Sequence, residues 1–514
     1  MRSGGFAWLS AKDEGLPVWG EQGDAGAHFK PHVPHGIRLV LQQPTKLKLE
    51  DPLGADPAGM PGSLTILSDA TPPLGYKAWY AIHPGGEAGL APPGKGFNHH
   101  LCYAESKDGL RWTKPVLNLV EFNGSRENNI VFSPAMGAPG RGMHGQGVFR
   151  DDHADPSERY KLVYLGVFSA EELAAYRRKH DEVDPLALRP DGSAYGIAGA
   201  VSPDGIHWHA LPEPLLIHHS DTFHSASYDS QRKKYVLYFR TWQADPTAPE
   251  SQGAIGKRSV GRAVSDDFRH FSNPEVLLTT SSEMSPSHLW YGPCKTNLPG
   301  CPEQQVMFPF RWKLEDDSMD AVLFSTPDGW TWSAVGGGQG GQALARGQPG
   351  QWDGGYVIPC PSLIELPGER WALPYRGFPI AHKYPRVDPS QRQLHPGIAA
   401  GTGYAIWPKG RLVALQCDDE GEFQTVGVMP AGQSLFLNTA VEPAGFIRIA
   451  ARTPGPPAGP IAGRGMDDCD AIVGQDGNSI AVTWRGQKEI GSADKPLILE
   501  IRLKHAKLFG LEFR

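Results

Sequence analysis

Three carboxylates stand at equivalent points of the sequence pattern. Asp221 in HHSDTFHSASYD and Asp353 in GQWDGGYVIP each open a predicted β-strand, and Glu283 in SSEMSPSHLWYGP lies just upstream of another. Acid–base cleavage of a glycosidic bond needs one protonated carboxyl group and one ionised carboxyl group. We therefore predict these three residues as catalytic, with Glu283 as the general acid. The alternative interpretation of each aspartate is a turn or capping residue.

Two further stretches of the same pattern do not identify a single candidate carboxylate. One of them, GMHGQGVF, contains His144 and no carboxylate, and we predict that His144 binds substrate. The other begins with the strand GSLTIL, and Glu50, Asp51 and Asp56 all precede it. The sequence does not choose among these three carboxylates.

A second set of candidate residues is basic. Arg240 in YFRTW, Arg311 in FPFRW and Arg376 in PYRGF end equivalent strands, and His382 follows in FPIAHKY. Guanidinium groups can bind hydroxyls, a carboxylate or a phosphate, so the set could serve an anionic sugar or a phosphate acceptor. An equally weighted alternative is that these arginines bridge acidic residues or neighbouring sheets.

Aromatic residues cluster at the same strand ends. Trp242, Trp290, Tyr291 and Trp352 are predicted to contact the substrate, since their faces could stack on sugar rings. A place in the hydrophobic core is the alternative for each of them.

The elements that must position these side chains form a repeat. The turns SKDGLRW, SPDGIHW, SDDFRHF and STPDGWTW end at Trp112, Trp208, Phe271 and Trp332. Each turn follows an apolar strand, and two more strands precede that one. A fifth unit lacks this turn and consists of the strands GYVIPCPSLIEL, WALPYRGF and GTGYAIW. The five units, from about residue 35 to residue 430, predict an all-β five-bladed β-propeller. A large β-sandwich is the alternative.

Three segments depart from the repeat. Residues 431–514 alternate apolar and polar residues without the Asp-Gly turn and predict a β-sandwich module. Residues 1–34 show little periodicity and are expected to form an edge segment. The insertion SAEELAAYRRKHDEVD after Phe168 predicts a helix, with Ser169 and Glu172 as a capping box.

Composition excludes several classes of protein. The 514 residues contain 49 Lys and Arg against 56 Asp and Glu, so the basic surface of a nucleic-acid-binding protein is not expected. No apolar run approaches the ~18 residues of a membrane helix, and the start lacks a signal-peptide pattern, which favours a cytoplasmic protein. The six cysteines form no C-x-x-C pair, so we expect buried free thiols.

No catalytic metal and no other cofactor is expected, and the sequence leaves a structural cation on the propeller axis open. The histidine pairs His99-His100 and His218-His219 are adjacent in sequence, and adjacent side chains point opposite ways along a strand. No ligand spacing typical of a metalloenzyme is present, so we expect catalysis to survive chelation.

Beyond these patterns, the stretch YAESKDGLRWTKPVLNLVEFNGSRENNIVF resembles bacterial proteins close to the N-terminal propeller of glycoside hydrolase family 32. The tail from AGFIRIAAR to KLFGLEF is similar to the β-sandwich that accompanies such propellers. The resemblance implies a furanosidase-like glycosidase, in which three carboxylates from different blades meet on the propeller axis. The family's Asn-Asp, Arg-Asp-Pro and Glu-Cys motifs are not present in this chain.

The sequence therefore predicts a glycoside hydrolase or transglycosylase that acts on an oligo- or polysaccharide. One alternative is a carbohydrate-binding propeller without catalysis. Another is a glycoside phosphorylase, or a glycosidase for anionic sugars, that uses the arginines. The sequence leaves the sugar, the anomeric outcome and the oligomeric state open, a homo-oligomer included.

Overall fold

The computed structural model describes residues 6–7, 34–50, 53, 63–69, 75–82, 99–133, 136, 141–180, 183–244, 256–280, 283–326, 328–336, 341–383, 397–425, 427–454, 459–491 and 495–514. The protein is nearly all β, with 54% strand and 4% helix, as predicted for its class. Three short strands come first: β1 (Phe6–Ala7), β2 (Arg38–Leu41) and β3 (Thr45–Lys48).

Three four-stranded antiparallel sheets follow, each with its strands paired in chain order. The first contains β4 (Leu64–Asp69), β5 (Gly75–Ile82), β6 (His100–Ser106) and β7 (Ile130–Phe132). The second contains β8 (Arg141–Arg150), β9 (Tyr160–Phe168), β10 (Ala194–Ser202) and β11 (His209–Ala210). The third contains β12 (Ser225–Asp229), β13 (Lys234–Ala244), β14 (Gly256–Ser265) and β15 (Glu275–Leu278).

The fourth group of strands is divided into two ladders. Its strands are β16 (His288–Gly292), β17 (Lys295–Leu298), β18 (Cys301–Met307), β19 (Phe310–Lys313), β20 (Ser318–Val322), β21 (Phe324–Thr326), β22 (Ser333–Ala334) and β23 (Gln342–Leu344). One ladder has the order β16-β19-β20-β23 and the other β17-β18-β21-β22. Pro293 and Pro309, which have no backbone N–H to donate, fall in the interruptions between the two ladders.

The fifth group combines both ends of the repeating part. It contains β24 (Tyr356–Pro359), β25 (Ile364–Leu366), β26 (Arg370–Phe378) and β27 (Gly401–Pro408). The early strand β3 pairs antiparallel with β27, with Lys46 opposite Ala405. An N-terminal strand therefore completes the last sheet of the repeat.

The five groups contact one another in a closed cycle. Strand β4 contacts β8, β8 contacts β12, β14 contacts β16, and β20 contacts β24. The cycle closes where β25 and β26 of the fifth group contact β4 of the first. Buried apolar side chains fill the spaces between neighbouring sheets, for example Trp79 of the first with Tyr160 and Ala198 of the second.

The repeated Asp-containing turns share one hydrogen-bond pattern. Each aspartate accepts backbone N–H groups from the residues two and three positions later, at 2.7–2.9 Å; the aspartates are Asp108, Asp204, Asp267 and Asp328. The residue after each aspartate has a positive φ, and it is glycine in three of the four turns. The interpretation of Asp108 as a turn residue is thereby confirmed.

The C-terminal strands form a separate sheet. It contains β28 (Val413–Gln424), β29 (Leu435–Thr453), β30 (Gly459–Pro460), β31 (Asp476–Ala481) and β32 (Ile498–Phe513), and β1 and β2 join it. Inward residues alternate along the long strands, and Leu437, Ile449, Trp484 and Leu503 lie in one core. Since β28 begins at Val413, this sheet extends across the predicted boundary at residue 431.

Two local predictions are confirmed. Helix α1 (Ala170–Arg177) follows Ser169, whose hydroxyl accepts from the Glu172 backbone N–H while the Glu172 carboxylate accepts from the Ser169 N–H. Short 3-10 turns lie at Pro156–Glu158 and Pro185–Ala187. All six cysteines are buried free thiols. Within the ranges given above, none of the helices is long and apolar enough to cross a bilayer.

Candidate functional site

Asp221 lies in the connection between β11 and β12 and forms an ion pair with Arg240 of β13. The Asp221 side chain is 36% exposed, whereas Arg240 is 1% exposed. The same loop fixes the Arg240 backbone, because its N–H donates to the Ser220 hydroxyl (3.1 Å) and its carbonyl lies 3.2 Å from His218 Nε2. The loop therefore presents a carboxylate to solvent on a rigid, charged support.

The surroundings of Asp221 keep its carboxylate ionised. Burial alone would raise the pKa of Asp221, but Arg240, with contributions from His219, His144 and Arg258, lowers that pKa to about 2. An ionised carboxylate at neutral pH can act as a nucleophile or stabilise positive charge, and it cannot act as a general acid.

Two histidines border Asp221. His144 of β8 lies with Nε2 3.0 Å from the Asp221 carbonyl oxygen, and its ring packs edge-on against His99 at 4.8 Å. Burial lowers the pKa of His144. Burial and then Arg240 lower the pKa of His219 to about 4, and the His219 ring stacks on Tyr195 at 4.5 Å. His144 thus belongs to the predicted site.

An aromatic group lies beside this cluster. The Arg258 guanidinium of β14 is 4.6 Å from the ring centre of Tyr291, 4.9 Å from Trp312 and 5.5 Å from Trp242. The Tyr291 hydroxyl is 3.0 Å from His382 Nε2. We call Trp242, Tyr291, Trp312 and His382 the aromatic group. Three of its members, Trp242, Tyr291 and His382, were predicted from the sequence.

Asp353 requires a correction. It is 2% exposed and forms an ion pair with Lys46 of β3 at 2.7 Å, and its other contact is the Tyr375 hydroxyl at 3.0 Å. None of these partners is shared with Asp221. The expected convergence of Asp353 and Asp221 on one opening is not what the structure shows, because Asp353 is held inside the fifth sheet by a lysine from the closing strand.

Trp352 also packs on the fifth sheet. Its ring lies against Gly377, Gly401 and Gly403, where an added Cβ would approach the indole to 2.4–3.4 Å. Lys48 Nζ stands 5.6 Å from the same ring. The glycines make room for Trp352, which indicates a packing role rather than the predicted substrate contact.

Glu283 and Trp290 differ in their surroundings. Glu283 is exposed in the connection between β15 and β16, and its role as the general acid stays a prediction. Trp290 is 2% exposed, packs edge-on against Phe324 at 5.4 Å and donates its indole N–H to the Thr279 carbonyl. Trp290 is therefore a core residue, and its prediction as a substrate contact is corrected.

Two of the three predicted arginines are engaged in structural bonds. Arg311 makes two bonds to Asp320, at 3.0 and 2.8 Å, on the neighbouring strand. Arg376 is 1% exposed and donates to the Leu53 carbonyl at 2.6 Å and to the Thr402 hydroxyl. The bridging alternative describes Arg311, whereas Arg376 is bound to neutral acceptors in the interior. Arg240 is the predicted arginine with a described bond to Asp221.

No pattern in the sequence singles out Arg258 or His219. Arg258 lies in KRSVGRAV, a strand with several basic residues. The sequence alone does not distinguish an arginine that belongs to a site from one that faces solvent. Its importance follows from the pairing of β13 with β14, which sets Arg258 directly opposite Trp242. The repeat predicts these two segments as successive strands joined by a loop, without a register.

The described site contains one exposed carboxylate, Asp221, in an aromatic and basic setting. A second carboxyl from the first unit is not identified: Glu50 is exposed, and Asp51 and Asp56 lie outside the described residues. In the part of the chain that the structure describes, no three His, Cys, Asp or Glu side chains are grouped as metal ligands.

Comparisons with known proteins give a similarity to solved structures only. No family model matches the chain, and no curated protein matches it. The chain is similar to a glycoside hydrolase with 13% identity over 71% of this chain and 91% of that one, at a TM-score of 0.46. It is similar to an N-acetylgalactosamine deacetylase from F. plautii in complex with blood group B trisaccharide, with 12% identity over 73% and 97% of the two chains, at a TM-score of 0.43. A sucrose-6-phosphate hydrolase from Lactobacillus gasseri shows 10% identity over 90% and 93%, at a TM-score of 0.39.

Proposed function

We propose that the protein is a glycoside hydrolase or transglycosylase that acts on an oligo- or polysaccharide at the site around Asp221. In this proposal the five groups of strands from β3 to β27 are the blades of a β-propeller, and the sheet of β28 to β32 with β1 and β2 belongs to a β-sandwich module. The closed cycle of contacts between the five groups supports the propeller.

The observation that carries the functional proposal is the state of Asp221. Its carboxylate is 36% exposed and held ionised by Arg240, whose guanidinium lies 5.1 Å from the ring centre of the partly exposed Trp242. Cleavage of a glycosidic bond develops positive charge on the sugar ring, and a fixed carboxylate stabilises such charge or attacks the anomeric carbon. Aromatic faces next to it suit the apolar faces of sugar rings. We assign Asp221 the role of nucleophile or charge stabiliser.

A screen for turnover tests this proposal. The wild-type protein would be incubated with aryl glycosides and oligosaccharides, furanosides and pyranosides of each anomeric form, and released sugar would be measured. We expect turnover of at least one class, lost in Asp221→Asn. Asp204→Asn is the matched control, because Asp204 is an equivalent carboxylate in a turn of the second sheet and should leave turnover unchanged.

A second candidate function is carbohydrate binding without catalysis. The observation that favours it is the single exposed carboxylate in the cluster, since the two carboxyls of a glycosidase lie about 5–10 Å apart. The same panel distinguishes the two functions. Saturable binding of a glycan without any released sugar would support the binding protein and contradict the hydrolase.

A further inference from the structure

Arg258 has no ion-pair partner among the described residues, unlike three other arginines of the third and fourth groups. Arg240 is paired with Asp221, Arg262 with Glu275 at 2.7 Å, and Arg311 with Asp320 at 2.8 Å. Arg258 lies instead over the rings of Tyr291, Trp312 and Trp242. Its Nη1 is buried and has no hydrogen-bond partner in the described part of the chain.

This arrangement leaves a cation incompletely compensated inside the protein. Burial lowers the pKa of Arg258, and Arg240 lowers it further, while Tyr291 and Asp221 act in the opposite direction. The guanidinium nonetheless stays charged at neutral pH, as an arginine does in proteins. Asp221 is the carboxylate near both guanidiniums, and its direct bond goes to Arg240. A buried, charged donor without a partner is costly unless something supplies an acceptor.

The aromatic rings position the guanidinium rather than neutralise it. Stacking over Tyr291, Trp312 and Trp242 supplies cation–π attraction and fixes the plane of the guanidinium group, whose N–H donors form a fork. The Tyr291 hydroxyl also bonds to the guanidinium, but Nη1 has no acceptor among the described residues. A fixed fork with a free terminal nitrogen matches the oxygen atoms of a carboxylate, sulfate or phosphate group.

We propose that Arg258 binds an oxyanion substituent of the saccharide, so that the ligand of this site is an acidic sugar. A uronate carboxylate and a sulfate or phosphate ester share the chemistry that Arg258 recognises. This inference rests on the proposed function in one respect, that the ligand is a saccharide. It replaces the predicted set of Arg240, Arg311 and Arg376 by a partly exposed arginine that has no ion-pair partner among the described residues.

Binding measurements with chosen monosaccharides test the inference. Isothermal titration calorimetry would compare glucuronic and galacturonic acid, glucose 6-phosphate and glucose 6-sulfate with neutral glucose and galactose. We expect at least one acidic probe to bind wild-type protein ten times or more tighter than its neutral counterpart. The uronate and ester arms identify which oxyanion is preferred.

Variants of Arg258 assign the preference to this residue. Arg258→Gln should abolish the preference for the acidic probe, and Arg258→Lys, which keeps the charge but not the fork, should retain part of it. Arg232→Gln is the matched control, because Arg232 also stacks on a tryptophan, Trp330 at 4.7 Å, at the other end of β13. Thermal denaturation would verify that each variant is folded. If Arg258→Gln is unfolded, the lysine variant decides.

The outcomes separate this inference from the proposed function. Equal binding of acidic and neutral probes by wild-type protein, or an unchanged preference in a folded Arg258 variant, overturns the inference. Turnover of a neutral glycoside that is lost in Asp221→Asn but unchanged in Arg258→Gln also overturns it, while leaving the proposed function in place. Tight binding of an acidic probe through Arg258 without any turnover supports the inference and contradicts the hydrolase.

Discussion

Asp353 and Lys46 form a buried ion pair between the start of β24 and the closing strand β3. Lys46 keeps 26% of its side chain exposed, whereas Asp353 keeps 2%. Removing one partner of a buried pair leaves the other charge without compensation, which costs about 3–5 kcal/mol in deeply buried cases. Because Lys46 retains some solvent, we expect Asp353→Asn to lower the free energy of unfolding by ~2 kcal/mol.

Urea denaturation of Asp353→Asn, Lys46→Met and the double variant measures this. We expect the double variant to cost less than the sum of the two single variants, which is the sign of a direct interaction. Turnover measured well below the unfolding midpoint should be unchanged in Asp353→Asn. Additive costs would show that Asp353 and Lys46 do not interact directly. Turnover lost in a folded Asp353→Asn protein would indicate a catalytic role for Asp353.

Buried histidines give the protein a dependence on pH. Burial lowers the pKa of His224 to about 4, against 6.5 when exposed, and the same value applies to His219. Between these two pH values the unfolded chain binds more protons than the folded one, so stability falls as the pH decreases from 6.5 to 4. The slope is at most about 1.4 kcal/mol per pH unit for each histidine.

The free energy of unfolding at pH 7.5 and pH 5.0 tests this dependence. His224, which is fully buried and lies 2.7 Å from the Gly145 carbonyl through Nδ1, is the residue to change. His224→Gln should show a smaller difference between the two pH values than the wild type. An identical difference in the two proteins would show that His224 does not carry the effect.

At the scale of the elements, the Asp-Gly turns also join neighbouring sheets. Gly205 has φ +82° in the second sheet, and a Cβ there would lie 2.5 Å from the Trp79 ring of the first. Its carbonyl accepts the indole N–H groups of Trp79 at 2.7 Å and Trp208 at 3.0 Å. We expect Gly205→Ala to disturb this inter-sheet contact in addition to straining the backbone.

Gly300 provides the comparison that isolates the contact. It has φ +78° in the turn between β17 and β18, and nothing lies within 4 Å of an added Cβ. Both alanine variants carry the left-handed backbone cost of about 1–2 kcal/mol. Chemical denaturation should show Gly205→Ala to be less stable than Gly300→Ala by ~2 kcal/mol. Equal losses would mean that the Trp79 contact adjusts without cost.

These turns show what the sequence could predict about the fold. The Asp-Gly pattern, the strands before it and the capping box at Ser169 are local signals, and each is confirmed. The role of β3 was not predicted, because a four-residue strand at residues 45–48 gives no sign that its partner is β27. Local patterns predict elements, whereas pairing over hundreds of residues depends on the whole fold.

For the candidate site too, the sequence predicted the local residues and not their partners from distant parts of the chain. Asp221 and Asp353 each precede the first strand of a group, and the neighbouring sequence does not distinguish one from the other. Lys46, more than 300 residues away in sequence, takes Asp353 into the interior. Arg240 comes from the adjacent strand and leaves the Asp221 carboxylate accessible. The identity of the partner, rather than the position in the repeat, decides which carboxylate reaches solvent.

At the scale of the whole molecule, the N-terminal strands connect its two parts. Strand β2 pairs with β28 of the C-terminal sheet. Strand β3, which follows β2 after residues 42–44, pairs with β27 of the fifth sheet. Leu39 packs against the cores of both parts. Unfolding of either part therefore removes a strand connection that the other part uses.

We expect the full chain to unfold in a single cooperative transition for this reason. Differential scanning calorimetry should give one peak, with the calorimetric enthalpy equal to the van't Hoff enthalpy. The backbone of Val40 in β2 pairs with Ala414 in β28. Val40→Pro should weaken this connection and broaden or divide the calorimetric peak. Two resolved peaks in the wild-type protein would show that the two parts unfold independently.

The central claim is that the Asp221 carboxylate carries turnover. The most direct measurement is kcat/KM of Asp221→Asn on the best substrate of the glycoside panel, at pH 7, against wild type and the Asp204→Asn control. Asparagine keeps the size of the side chain but cannot ionise, so we predict a loss of at least 100-fold, about 2.7 kcal/mol of transition-state stabilisation, with an intact circular dichroism spectrum. A folded Asp221→Asn protein with kcat/KM within about threefold of wild type would contradict the account.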